Sequence, residues 1–180
     1  MKTIKGKLIA LVASLAILAS TAFVASAQQG GDDSRTANKV RKELVTLPYY
    51  GVFDNLAYKV DGDTVTLYGQ VVDAITRKDA ERRVKKIEGV ERVVNNIQVL
   101  PVSGFDNTIR VRTYRTLART GSLYRYFLGA NPSIHIIVNR GHVSLEGVVS
   151  NKMDSQLAYM TARGIPGVFS VTNNLRVERD

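Results

Sequence analysis

The chain states one pattern twice. Val60-Asp61-Gly62-Asp63-Thr64-Val65-Thr66-Leu67-Tyr68-Gly69-Gln70-Val71 returns 78 residues later as Val138-Asn139-Arg140-Gly141-His142-Val143-Ser144-Leu145-Glu146-Gly147-Val148-Val149. The echo continues without a gap. Gly89-Val90 recurs as Gly167-Val168, and Val93-Val94-Asn95-Asn96-Ile97-Gln98-Val99 recurs as Val171-Thr172-Asn173-Asn174-Leu175-Arg176-Val177. Self-similarity at a fixed period marks a duplicated structural unit, so function is to be sought in the unit and in how its copies differ.

In front of the repeat stand Lys2, Lys5 and Lys7, an apolar run from Leu8 to Ala19, and Ala25-Ser26-Ala27, the small-x-small pattern of a signal-peptidase site. Residues 1–27 therefore read as a secretory signal. The alternative is a retained anchor, which Ser14, Ser20 and Thr21 make polar for a bilayer span. Cysteine is absent, which excludes a lipid-modified cysteine, a disulfide framework, a thiol nucleophile and a thiolate metal site. The expectation is a soluble exported protein, in the periplasm if the cell has an outer membrane. Its charge is unevenly shared: residues 102–180 carry ten Lys and Arg against five Asp and Glu, whereas residues 28–101 are nearly balanced.

Each copy spells out the same elements. Val40, Leu44 and Leu47 recur at helical spacing over 38–47, and Pro48 stops that helix. Two alternating strands, 56–60 and 65–71, flank an Asp61-Gly62 turn signal. Asp73 can cap a second helix with an Ala80, Val84, Ile87 stripe, ended near Gly89, and 91–99 reads as a third strand. The second copy repeats the order at 107–119, 133–138, 142–149, 151–163 and 169–178, its second helix offering Met153, Leu157 and Met160 for burial. The fold class is α+β: two tandem αββαβ domains, each a three-stranded mixed sheet with two helices on one face. The expected organisation is a signal peptide (1–27), a flexible segment (28–36), a first domain (37–100), a linker (101–106) and a second domain (107–180). The linker is short and contains Phe105, so the copies are expected to pack together. Gly69 and Gly147 mark a close helix approach or a bulge, and the Asn95-Asn96 and Asn173-Asn174 pairs satisfy backbone groups locally.

With the repeat laid out, the chain resembles a pair of BON domains, the module of osmotically induced periplasmic proteins of bacteria. The likeness is carried by Val65 to Val71 with Gly89-Val90 and Val93 to Val99, and by Val143 to Val149 with Gly167-Val168 and Val171 to Val177. The resemblance implies an αββαβ fold, no enzyme activity, and binding to phospholipid or envelope components, with a stress-protective or chaperone-like role in some members. The second copy departs from the pattern before its first strand: Val40 to Val60 spans 20 residues, Val111 to Val138 spans 27.

That longer stretch carries the distinctive chemistry. Val111, Tyr114, Leu117 and Ala118 share one side of a helical wheel, and Arg112, Arg115 and Arg119 share the other. Leu123-Tyr124-Arg125-Tyr126-Phe127-Leu128 follows. Guanidinium forks pair with phosphates and tyrosines settle at headgroup depth, so the candidate lipid-binding residues are Arg112, Arg115, Arg119, Arg125, Tyr124, Tyr126 and Phe127. The plainer reading is a solvated helix face with aromatics plugging the boundary between copies. Four arginines at about 1 kcal/mol each give a dissociation constant of about 1 mM, so aromatic insertion would also be needed.

Other constellations are weaker. Arg77 to Lys86 interleaves with Asp79 and Glu81 as i, i+4 pairs, a solvated face. If Arg140-Gly141 is a two-residue turn, His135 falls opposite Glu146 on the outward face, short of the convergent ligands a zinc site wants. No Gly-x-Ser-x-Gly motif presents a nucleophile. Gly164-Ile165-Pro166-Gly167 matches a GxxG loop but joins a helix to a strand, so nucleic acid is not expected. The expected partner is an anionic phospholipid or envelope surface, with no cofactor and no metal; the competing partner is a protein client held by exposed sheet edges or the aromatic cluster.

Overall fold

The computed structural model describes residues 22–178. The first domain consists of α1 (Ala22–Val45), β1 (Asn55–Asp61), β2 (Thr64–Val71), α2 (Ala74–Val84), β3 (Arg92–Asn95) and β4 (Gln98–Val99). The second consists of α3 (Gly104–Leu117), the 3₁₀ segment η1 (Gly121–Phe127), β5 (Ile134–Asn139), β6 (His142–Val149), α4 (Lys152–Arg163) and β7 (Ser170–Val177). In each domain the central strand pairs antiparallel with the strand before it and parallel with the one after the helix. This is the expected mixed sheet, with one departure: the third strand of the first copy is split into β3 and β4, both pairing β2.

The asparagine at the end of β3 bonds away from the sheet. Asn95 turns its side chain back, donating to the Arg77 carbonyl (3.1 Å) and Glu81 (3.0 Å) while accepting from the Ile97 N–H (3.1 Å). Asn173 makes the equivalent contacts to Ser155 and Leu175, but β7 runs through unbroken. The first asparagine of each pair thus staples the second helix of its unit to the last strand, a longer reach than the local backbone satisfaction expected; only the bonds from the Ile97 and Leu175 N–H groups are local.

Boundaries differ at α2, which ends at Val84 rather than near Gly89, and at two further places. α1 begins at Ala22, so it takes in Ala25-Ser26-Ala27 and the 28–36 segment expected to be flexible. Thr36 is buried one turn before Val40, extending the buried stripe Val40, Leu44, Leu47 backwards. Residues 1–21 of the expected export signal lie outside the described residues. The linker is also shorter than expected, because Ser103 caps α3 by accepting from the Asp106 N–H (3.1 Å), which draws Gly104, Phe105 and Asp106 into the helix.

Gly69 (φ 114°) and Gly147 (φ 119°) both sit in left-handed backbone, and the reason is a strand rather than a helix. A Cβ there would lie 1.9 Å from the Asn55 carbonyl oxygen and 2.0 Å from that of Ser133, on the neighbouring antiparallel strand. Only a residue without a side chain lets the strands close at that point.

Two cores form. One packs Val40 and Leu44 of α1 with Ala80 and Val84 of α2 over Val65, Leu67 and Val71. The other packs Ile109 and Leu117 of α3 with Ala158 and Ala162 of α4 over Ile136, Val143 and Leu145. The copies do pack together: the loop before β1 lays Val52 and Phe53 against the second core, and the Val52 carbonyl accepts from the Ile136 N–H on the edge of β5 (2.7 Å).

Candidate lipid-facing surface of the second domain

Helix α3 is held at its buried face by polar groups, which is why its wheel was misread. Asp106, Ile109, Arg110, Thr113 and Leu117 face inward, whereas Val111 and Tyr114 are only half-buried. The Asp106 carboxylate accepts from the N–H groups of Arg140 and Gly141, both at 2.8 Å. Those two residues form the β5–β6 turn with φ of 51° and 79°, the paired left-handed conformation of a type I′ turn. Arg110 donates to the Val138 carbonyl one step further along (2.7 Å). The start of α3 is therefore bolted to the hairpin, and its opposite face has a fixed orientation.

That opposite face presents Arg112 and Arg115, with Arg119 in the turn just past the helix end, all three exposed as the spacing predicts. None has a carboxylate within 4.0 Å among the described residues. Helix α2 behaves differently: Arg82 pairs with Asp79 (2.8 Å), Lys85 with Glu81 (2.5 Å) and Arg83 with Glu43 (3.4 Å). Arg82, Arg83 and Lys85 thus have carboxylate partners, whereas Arg112, Arg115 and Arg119 have none among the described residues.

The sequence reading missed the apolar companions of this row. Phe105 lies two turns before Arg112 on the same face, is 51% exposed, and its ring sits 5.8 Å from that of Phe169, itself 68% exposed. Arg112 also lines a shallow groove between α3 and the end of α4 with Thr116, Met160, Ile165 and Pro166. Met160 and Met153 are exposed, contrary to the burial expected for them; α4 buries Asp154, Ser155, Ala158 and Ala162 instead, because small side chains let it lie close to the sheet. Phe105 was assigned to a linker, so its place on a helical face could not be read without the Ser103 cap.

The aromatic cluster is corrected in three of its four candidates. Tyr126 and Phe127 are buried in the second core, where Phe127 packs edge-on against Tyr114 (5.5 Å), and Tyr114 in turn against Phe53 of the first domain (6.3 Å). Neither can enter a membrane from this position. Arg125 is committed to Asp154 (2.5 Å). Tyr124 and Arg125 are both exposed, in η1 beyond the end of α3, and of the two only Arg125 is tied to a carboxylate.

Asp154 explains the whole segment. Its carboxylate, nearly inaccessible to solvent, accepts hydrogen bonds from Ser122, Arg125, Tyr126 (2.6 Å) and Asn151 (3.0 Å). Burial pushes such a carboxyl upward, but the hydrogen bonds from Ser122, Tyr126 and Arg125 outweigh it and bring the Asp154 pKa down to about 2. The extra residues of the second copy are thus a strap pinned onto α4 by a fully satisfied carboxylate.

The histidines are apart. His135 does pair across from Glu146 as expected, but its ring is covered by Tyr50 of the first domain, while His142 is exposed and bonded to Ser170 (2.7 Å). Among the described residues no group of three or more His, Asp or Glu converges, and no helix is long and apolar enough to cross a membrane.

Comparison with known proteins agrees with this architecture. Residues 32–101 and 106–179 each match the family model of the BON domain. Osmotically-inducible protein Y of Escherichia coli (strain K12) is 30% identical over 152 residues, which cover 82% of this chain and 73% of that protein. Among solved structures, the C-terminal domain of CdsD, a structural protein of the type III secretion system of Chlamydia trachomatis, is 11% identical with a TM-score of 0.28, covering 79% of this chain and 96% of that one. A second CdsD structure gives 11% and 0.29, with coverage of 80% and 92%. A similarity of that size does not bear on function.

Proposed function

Because the chain belongs to the BON-domain family, we propose that it is an exported, non-enzymatic envelope protein of the periplasm that attaches to anionic phospholipid surfaces and serves in osmotic or envelope stress. The relative induced by osmotic conditions supports the stress setting. The observation that carries the lipid reading is the row of arginines on α3, unpaired by any described carboxylate and flanked by exposed Phe105, Phe169 and Met160.

The mechanism is electrostatic approach followed by shallow insertion. Arg112, Arg115 and Arg119 supply about 3 kcal/mol near an anionic surface, too little alone for lasting attachment. Entry of Phe105 and Phe169 adds about 3 kcal/mol, for a combined dissociation constant of roughly 50 µM. Tyr124 remains a candidate at headgroup depth, while Arg125, Tyr126 and Phe127 serve the strap.

The chain contains no tryptophan, so Phe105→Trp introduces a unique fluorophore. Anionic vesicles should shift its emission to the blue and neutral vesicles should not. An unchanged spectrum with anionic vesicles would remove Phe105 from the mechanism.

A further inference from the structure

The chain has no cysteine, so methionine carries all of its sulfur, at Met1, Met153 and Met160. Met1 lies outside the described residues. Met153 and Met160 both stand on α4, and both are exposed, by 79% and 69%. The inward face of that helix is filled by Asp154, Ser155, Ala158 and Ala162, and neither methionine takes part in the second core. Their spacing of seven residues puts them on one side of the helix, two turns and about 10 Å apart, with half-buried Leu157 between them.

Their surroundings differ. Met160 lines the shallow groove, about 600 Å³ in volume, where Arg112 and Thr116 of α3 face Ile165 and Pro166. Met153 belongs to the first turn of α4, next to the Asp154 carboxylate that holds the strap, and does not line that groove.

An exposed thioether is the soft nucleophile that remains where thiols are absent. Its sulfur lone pair attacks the oxygen of hypochlorous acid or of a peroxide. An S–O bond forms, the O–Cl or O–O bond breaks, sulfur is oxidised, and the oxidant is reduced to chloride or, for hydrogen peroxide, to water. The hydroxyl proton passes to solvent in the first case and to the departing hydroxide in the second, leaving a neutral sulfoxide. The reverse step belongs to a methionine sulfoxide reductase, which removes the oxygen as water while two thiols become a disulfide. Oxidation turns a flexible apolar side chain into a polar one, and outside the core it does so without disturbing the packing.

We propose that Met160 is an oxidation site that switches attachment through α3. As a thioether it enters an anionic surface together with Phe105 and Phe169; as a sulfoxide it keeps the groove beside Arg112 hydrated and releases the chain. Met153 takes up oxygen equally well and has no such effect. The inference rests on the lipid reading above, whose apolar flank includes Met160.

The test uses the full chain, untreated or treated with hypochlorous acid, and vesicles of phosphatidylglycerol in phosphatidylcholine. Peptide mass mapping should place one oxygen on each of Met153 and Met160 while the circular dichroism spectrum stays unchanged. The oxidised chain should bind the vesicles about 10-fold more weakly, the worth of one inserted side chain, and treatment with a methionine sulfoxide reductase and dithiothreitol should restore binding. Met160→Leu should bind like the untreated chain and ignore the oxidant, whereas Met153→Leu should remain sensitive. Equal binding by oxidised and untreated chains would overturn the switch and leave the attachment standing. The same loss in oxidised Met160→Leu would assign the effect to another residue and also overturn it. Failure of the untreated chain to bind would remove the attachment and the switch together. Oxygen on Met160 only after unfolding in urea would contradict the exposure on which the site depends.

Discussion

The Tyr50 ring and the His135 imidazole face each other across the junction of the two domains, tilted by 32° with centroids 5.3 Å apart. The Gly51 carbonyl beside them places a proton on Nδ1 of the neutral imidazole. Burial is the main influence and holds the His135 pKa below its usual 6.5, against the opposing pull of Gly51, Asp54 and Glu146.

Stability should therefore fall as the medium is acidified. Below pH 6.5 the unfolded chain takes up a proton that folded His135 refuses, so stability is lost as pH drops from 6.5 to the folded pKa and levels off beneath it. Asp54, raised above 3.8 mainly by burial, opposes this only at the acid end: its contribution is present below 3.8 and lost as pH rises through its folded value. Arg110 completes the charged groups around the junction. Urea unfolding midpoints at pH 7 and pH 5 should differ, and His135→Asn, which keeps a donor for Gly51, should flatten the difference. The same slope in His135→Asn would place the titrating group elsewhere.

Asp154 titrates in a lower window and with the same sign. Its stabilisation is present above about 3.8 and lost as pH falls through about 2. Asp154→Asn should destabilise the second domain by about 3 kcal/mol, because buried donors lose an anionic acceptor. Arg125→Gln should leave vesicle binding unchanged, since Arg125 belongs to the strap. A binding defect in that variant would return Arg125 to the lipid surface.

Gly147→Ala should cost more than about 2 kcal/mol, from the strained φ together with a Cβ driven into the Ser133 carbonyl. Gly69→Ala should behave alike in the first domain, and the two substitutions should add, the sites lying in separate sheets. Chemical denaturation of the single and double variants checks both points. A near-neutral Gly147→Ala would mean that the strands can part there at no cost.

Asp106→Ala should destabilise the β5–β6 turn, leaving the N–H groups of Arg140 and Gly141 without their acceptor, a loss of about 3 kcal/mol. Arg140→Gly, which removes the strain of a non-glycine residue at φ 51°, should recover part of that loss in the double variant.

The sheets were legible because alternation and turn residues are local signals: Val138 pairs with Val143 across Arg140-Gly141, as the pattern required. The helix faces of the second domain were not. Wheels drawn from large apolar residues chose Val111 and Met160, whereas the close approach to the sheet selected Ala158, Ala162, Thr113 and three charged residues, Asp106, Arg110 and Asp154, with distant acceptors or donors. Burial of Arg110 depends on the Val138 carbonyl 28 residues away, and burial of Tyr126 on Asp154. The arginine row was found because an exposed charged face needs no partner to be recognised. Phe105 was lost because its helix starts at a serine cap that the repeat, with its altered spacing, did not mark.

Attachment through α3 is tested most directly by co-sedimentation of the protein with vesicles of graded anionic content at low and high salt, beside the Arg112→Gln/Arg115→Gln/Arg119→Gln variant. Binding should rise with anionic content, weaken with salt and fall by about 100-fold in the variant. Equal binding by the variant, or no binding to any vesicle at low salt, would contradict the role assigned to α3.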